Sequence, residues 1–147
     1  MKRYELLTIG YEGREIDELI ERLKQCNVSR LIDVREIPLS RKKGFSKSAL
    51  RNRLQQEHIE YVHIKALGSP SAIRNKLKSD WDYKYFFMAY SEHLSQNMDV
   101  VREVHEYISD GNVCLMCFER SYEKCHRLMV ADKIKEYDGN GLHIKHI

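Results

Sequence analysis

Apolar positions along the chain fall into two patterns, short continuous runs and helically spaced stripes, and the two alternate. The run "YELLTIG" (4–10) reads as a strand closed by Gly10. It is followed by "REIDELIERLKQC" (14–26), with Ile16, Leu19, Ile20 and Leu23 at helical spacing. A second strand, "RLIDVR" (30–35), is stopped by Pro38, and "SKSALRNRLQQEH" (46–58) forms a helix with Ser46 as its cap and Leu50 and Leu54 on one face. "EYVHIKAL" (60–67) is a third strand, closed by Gly68 and Pro70. Two helical stretches, 82–97 and 99–110, meet at a break near Asn97. The fourth strand, "NVCLMCFE" (112–119), follows the turn at Asp110-Gly111. A last helix from about Ser121 to Tyr137 stops at Gly139, and "LHIKHI" (142–147) forms a terminal strand. Strands alternating with helices imply right-handed crossovers. The expected fold is α/β, a three-layer, mostly parallel open sheet of about five strands with helices on both faces, in one domain over residues 1–147.

Composition narrows the class. The chain is 42% hydrophobic and 32% charged, as in ordinary globular proteins. No apolar run approaches the roughly 20 residues of a membrane helix. The basic pair Lys2-Arg3 is followed by too short an apolar core for a secretory leader. A cytoplasmic protein without membrane contact is expected. Its four cysteines, Cys26, Cys114, Cys117 and Cys125, are too few and too unevenly spread for a disulfide scaffold, so they read as reduced thiols. The net charge of +3 excludes a general polyanion binder. Residues 35–53, however, hold seven basic side chains against Glu36, a local +6 that leaves −3 for the remainder.

In open parallel sheets, ligands sit outside the carboxyl ends of the strands. The segments just past those ends are Gly10-Tyr11-Glu12, 35–41, Leu67-Gly68-Ser69, and Glu119-Arg120 with the start of the last helix. They gather arginines, hydroxyls, glycines, a carboxylate, thiols and an imidazole, although strand ends are polar in any protein. Asp33 lies inside the apolar strand, where a charge is costly unless paired, and Arg35 or Arg127 is its natural partner. Cys125, His126 and Arg127 fall in the first turns of the last helix, where free N–H groups favour anions. There Cys125 is a nucleophilic thiolate, or the arginines and the helix N-terminus hold a phosphate while the cysteines pack, or Cys117 and Cys125 form a redox pair, or the cluster is structural.

Two motifs are set aside. Cys114-x-x-Cys117 lies in a strand, where positions three apart point to opposite faces and cannot share a metal. Cys114 to Arg120 has the C-x5-R spacing of cysteine phosphatases, but "LMCFE" lacks the glycines of a phosphate loop. A zinc site from Cys117, Cys125, His126 and one further ligand is a minor alternative, and no metal or cofactor is assigned. His143 and His146 read as strand residues. Phe86, Phe87 and Tyr90 are assigned to the core, and Trp81, Tyr83 and Tyr85 are candidates to border the cleft.

The segments "TIGYE" (8–12), "DVREIPLSRKKGFS" (33–46), "YVHIKALG" (61–68) and "LMCFERSYEKCHR" (115–127) resemble the domain of unknown function 488 family over essentially the whole chain. Where family members carry a second glycine after Leu-Gly, this chain has Ser69. The resemblance implies a compact α/β domain and marks Thr8, Gly10, Tyr11, Asp33, Arg35, Pro38, Ser40, Arg41, Phe45, Gly68, Cys117, Glu119, Cys125, His126 and Arg127 as site positions. It implies no activity.

The expectation is a protein that binds a phosphate-bearing ligand, a nucleotide or nucleic-acid end. Arg35, Arg41 and Arg127 would hold the anion, with Ser40 and Tyr11 orienting it. Glu119 and His126 would serve as acid and base and Cys125 as nucleophile, whereas Thr8, Gly10, Asp33, Pro38, Phe45, Gly68 and Cys117 shape the site. The alternative is a non-catalytic nucleic-acid-binding module using the basic 35–53 strip.

Overall fold

Five apolar runs pair into one sheet in the computed structural model, which describes residues 4–147. Lys2 and Arg3, used above against a leader, lie outside the described residues. The strands are β1 (Leu6–Gly10), β2 (Val28–Asp33), β3 (Glu60–His63), β4 (Asn112–Cys117) and β5 (Ile144–His146). Their order is β3-β2-β4-β1-β5, and every pairing is parallel. Parallel neighbours require a crossover, here supplied by α1 (Ile16–Gln25), α2 (Lys47–Gln55), α3 (Ser71–Asp80), α4 (Tyr83–Ser95), α5 (Met98–Tyr107) and α6 (His126–Asp138).

Because side chains alternate across a strand, each face of the sheet collects its own core. Leu7, Ile9, Leu31, Cys114 and Met116 pack with Leu19, Ile20 and Leu23 of α1 and Leu50 and Leu54 of α2. On the opposite face Leu6, Ile32, Val34, Val113, Leu115 and Cys117 pack with Tyr90 and Leu94 of α4, Val101 and Val104 of α5, and Val130, Ala131 and Ile134 of α6. Each fully buried Leu, Ile or Val contributes about 1.5–3 kcal/mol, so the stripes read from the sequence are what hold the layers together. Cys114 and Cys117 sit in opposite cores, which removes the C-x-x-C pair as a joint ligand set.

Four local expectations change. Ser46 occupies the position before α2 but caps nothing, because its hydroxyl turns back to donate to the Ser40 carbonyl at 3.0 Å. The last helix begins at His126, after a 3-10 turn over Tyr122–Lys124, so Cys125 is its extended N-cap and not a first-turn residue. The strand read over 60–67 ends at His63 and continues as a 3-10 turn over Lys65–Leu67. Helix α3 has no counterpart in the sequence reading, because none of its residues is buried and no apolar stripe marks it. Among the described residues, no helix is long and apolar enough to cross a membrane.

Candidate functional site

The chain leaves β2 toward the β3 edge and leaves β4 toward the β5 edge, so a crevice opens above their carboxyl ends. It is a cleft of about 360 Å³ walled by Tyr11, the 35–39 segment, Ser69, the 117–119 segment and the start of α6, with Arg74, Lys78 and Phe86 closing the far side. The four segments expected at one sheet edge do meet there. Two glycines permit the approach. A Cβ at Gly10 would collide with the Glu119 carbonyl, and one at Gly68 with the Glu36 backbone.

One wall is a charge pair built around β2. Asp33 is fully buried. It accepts from Arg35 Nε at 2.9 Å and Nη2 at 2.7 Å, from the Arg35 backbone N–H at 3.1 Å, and from the Tyr61 hydroxyl at 2.6 Å. Arg35 Nη1 donates to the Tyr11 hydroxyl at 3.2 Å and the Phe45 carbonyl at 2.8 Å. Burial alone would lower the guanidinium pKa, but the hydrogen bonds and charge of Asp33 outweigh it and raise it. Burial, then Asp33, pushes the Tyr61 phenol up as well. With nearly every donor committed, Arg35 is framework that fixes Tyr11, not the free anion holder expected from sequence. Phe45 stacks on Tyr11 with centroids 4.5 Å apart, and Phe118 meets Tyr11 edge-on.

At the floor is a thiol centre organised by Arg127, which is only 2% exposed. Its Nη1 donates to Cys117 Sγ at 2.9 Å and to the Glu119 carbonyl, and its Nη2 to the Arg120 carbonyl at 3.0 Å. Its backbone N–H points at Cys125 Sγ, 3.4 Å away. Among the described residues no carboxylate forms an ion pair with Arg127, and its Nε has no partner. Burial lowers the pKa of this guanidinium. A buried cation without a carboxylate is costly, and the Cys117 sulfur is the side-chain atom seated on it. Arg127 is thus too deeply spent to grip a ligand directly, another departure from the sequence expectation. Cys117, expected to shape the site, borders the cleft, whereas Cys125, expected as the nucleophile, is not in its lining.

His126 completes the floor. Its Nε2 lies 2.7 Å from the Val34 carbonyl, which can only accept, so Nε2 carries the proton and the Nδ1 lone pair faces Cys125 Sγ at 3.8 Å. Burial pulls the imidazole down to about 4, so it is neutral at physiological pH. Glu119 is half-buried, and desolvation raises its carboxyl above the usual range. The sulfurs of Cys117 and Cys125 are in contact, but their Cα atoms stand 7.6 Å apart, beyond the roughly 4.4–6.8 Å of ordinary disulfides. The structure nonetheless joins the two sulfurs as a disulfide and leaves only Cys26 and Cys114 free, which corrects the expectation of four reduced thiols. Donor atoms of Cys117, Glu119 and Cys125 also lie within 4.8 Å of one another, a spacing that suits a metal. The guanidinium already seated on the Cys117 sulfur opposes a dication there, and we assign none.

The remaining expected residues scatter. Thr8 is buried under β5, with Oγ1 2.5 Å from His146 Nδ1, and stands apart from the cleft lining. Ser40 is tied into its own loop through Ser46 and the Lys42 N–H, Pro38 accepts from the Lys47 N–H, and Arg41 is exposed; none of the three lines the cleft. Trp81, Tyr83 and Tyr85 do not border it either, whereas the core residue Phe86 does. Sequence reasoning missed Arg74 and Lys78, which arrive on the unmarked α3, and Lys124, which stood in plain view beside Cys125. Arg74 pairs with Glu36 at 3.2 Å, but Lys78 and Lys124 have no side-chain partner among the described residues.

A parallel α/β sheet carrying a buried cluster of Arg127 and the bridged Cys117 and Cys125 at its carboxyl edge defines the class of this protein. The chain belongs to the family of the domain of unknown function DUF488, whose model matches residues 15–134. That span includes α1 through most of α6 and leaves the "TIGYE" segment and the terminal strand outside. Neither the curated proteins nor the solved structures contain a match.

Proposed function

We propose that the cleft binds a small phosphate-bearing ligand, a nucleotide or a nucleic-acid end, and that the Cys117 thiolate at its floor is available for covalent chemistry on it. The observation that carries this reading is the pair of unpartnered ammonium groups, Lys78 and Lys124, on the rim of a cleft whose floor holds a buried guanidinium. Anions are drawn to such a concavity, and each charge-assisted bond to a phosphate oxygen contributes about 1.5–3 kcal/mol. Tyr11, Ile37, Leu39 and Phe118 offer the apolar surface on which a base would rest. Glu119, with its raised carboxyl, is the acid of the site, and neutral His126 the proton acceptor behind it.

The alternative module on the 35–53 strip draws less support. Arg35 is spent on Asp33, and Arg53 is paired with Glu57 at 3.2 Å and Asp17 at 3.4 Å. Calorimetric titration of nucleoside monophosphates, the parent nucleosides and duplex DNA separates the readings. We expect the monophosphate alone to bind the cleft, with about tenfold weakening per lysine in Lys78→Ala and Lys124→Ala. The slope of log affinity on log salt should be near −1, against about −3 to −4 for a module making four phosphate contacts. Tight duplex binding that survives both lysine changes and falls in Lys42→Ala/Lys43→Ala/Arg51→Ala would replace the cleft reading.

A further inference from the structure

Arg127 touches both thiols at once, with its guanidinium on Cys117 and its backbone N–H on Cys125. Nothing in phosphate binding calls for a second thiol at that point. Cys125 is 1% exposed and absent from the cleft lining, so it has no route to a ligand of nucleotide size. Its reactive neighbours are the Cys117 sulfur, the lone pair on His126 Nδ1 and the Glu119 carboxyl. The other two cysteines lack this setting. Cys114 is in the opposite core, where burial pushes its thiol up, and Cys26 lies at the far end of the sheet after α1.

We propose that Cys117 and Cys125 are a two-thiol couple that reduces hydroperoxides, Cys117 being the attacking thiolate and Cys125 the resolving thiol. This rests on the thiolate reading of Cys117 and is independent of the phosphate ligand. In the first step the Cys117 thiolate attacks the outer peroxide oxygen. An S–O bond forms, the O–O bond breaks, and the hydroxide or alkoxide that leaves takes a proton from the Glu119 carboxyl. Cys117 is now a sulfenic acid. In the second step Cys125 attacks the Cys117 sulfur, an S–S bond forms and the S–O bond breaks. The proton of Cys125 passes by way of His126 Nδ1 to the departing hydroxide, which leaves as water. Two thiols are oxidised and one peroxide is reduced to two molecules of water, or to water and an alcohol. A soluble dithiol restores the pair by exchange.

The chemistry selects the oxidant by size. Cys117 is only 1% exposed at the cleft floor, which admits a small uncharged molecule such as hydrogen peroxide more readily than a bulky disulfide. The structure shows the pair in its bridged state, with the Cα atoms 7.6 Å apart.

The test uses the full chain, reduced and freed of reductant, then treated with one equivalent of hydrogen peroxide at pH 6. Intact mass should fall by two hydrogens, and two of the four thiols should disappear from titration. Trypsin cuts after Arg102, Arg120, Lys124 and Arg127, so the bridge should join peptide 125–127 to peptide 103–120, and fragmentation of the linked pair should place it on Cys117 and not on Cys114. Cys125→Ser should stop at a Cys117 sulfenic acid that dimedone labels, and Cys117→Ser should leave Cys125 unoxidised. Arg127→Met should slow oxidation about tenfold or more at pH 6 by shrinking the thiolate fraction. If that variant does not fold, the dimedone result on Cys125→Ser still decides. Retention of four thiols, a bridge to Cys114 or Cys26, or no sulfenic acid in Cys125→Ser overturns the proposal. So does stoichiometric zinc held by Cys117 and Cys125 in the purified protein. If iodoacetamide alkylates Cys117 rapidly at pH 6 yet peroxide forms no bridge, the thiolate reading stands and the couple fails.

Discussion

Lowering the pH tests the floor of the site through His126. The imidazole is 7% exposed, donates from Nε2 to the Val34 carbonyl at 2.7 Å, and is held at about 4 by burial against an ordinary 6.5. A histidine depressed in the folded state binds its proton more readily in the unfolded chain. Its stabilising contribution is therefore complete above pH 6.5 and is lost as pH falls toward 4. Taking these two values, the loss between pH 7 and pH 4.5 is about 2 kcal/mol, a large share of the stability of a domain this size. His146, depressed by its own burial, acts in the same direction, and Glu119, raised by burial, acts in the opposite one. Comparison with His126→Gln cancels both, because the amide can still donate to Val34 but does not titrate. Urea denaturation of both proteins at the two pH values should show the wild type losing about 2 kcal/mol more than the variant. Parallel losses, within about 0.5 kcal/mol, would refute the buried neutral imidazole and with it the assignment of Nδ1 as proton acceptor.

Two further substitutions probe the walls. Asp33→Asn leaves the Arg35 guanidinium buried without a counter-charge and should cost about 3–5 kcal/mol by chemical denaturation. A loss below about 1 kcal/mol would mean the pair is not needed to hold Arg35 in place. Gly10→Ala sets a Cβ against the Glu119 carbonyl, so it should push the 117–120 segment off β1. Peroxide oxidation of Cys117 should fall with stability in that variant, and unchanged reactivity would show that the close approach does not position the thiol.

The strands and their mostly parallel pairing, though not their order in the sheet, were legible because each buried run is short, nearly continuous and bounded by a breaker, as with "RLIDVR" before Pro38. The stripe Leu19, Ile20 and Leu23 likewise left α1 in no doubt. Helix α3 was illegible for the opposite reason. It lies outside both cores, and nothing in "SAIRNKLKSD" has to be buried. That gap carried straight into the site, since Arg74 and Lys78 ride on α3 and reach the cleft only through the fold. Ser40 and Arg41 failed as cleft residues because the loop after β2 turns away at Leu39, and the Ser40-Ser46 hydrogen bonds that hold this turn leave no periodicity in a sequence.

The exchange of roles we propose between the two cysteines follows from the same cause. From the sequence alone Cys125 has the better claim to the thiolate, since it stands beside Lys124, His126 and Arg127 near a helix start. In three dimensions neighbours along the chain are not neighbours in space. The Lys124 side chain points to the cleft rim, His126 is neutral, and the Arg127 guanidinium folds back across β4 to reach a sulfur ten residues earlier. What remains for Cys125 is one backbone N–H and a lone-pair acceptor. That setting suits a thiol that must give up its proton only when an electrophilic sulfur appears next to it, whereas Cys117 has the cation that a resting thiolate requires. The division of labour between the two sulfurs is thus set by which face of Arg127 each one meets.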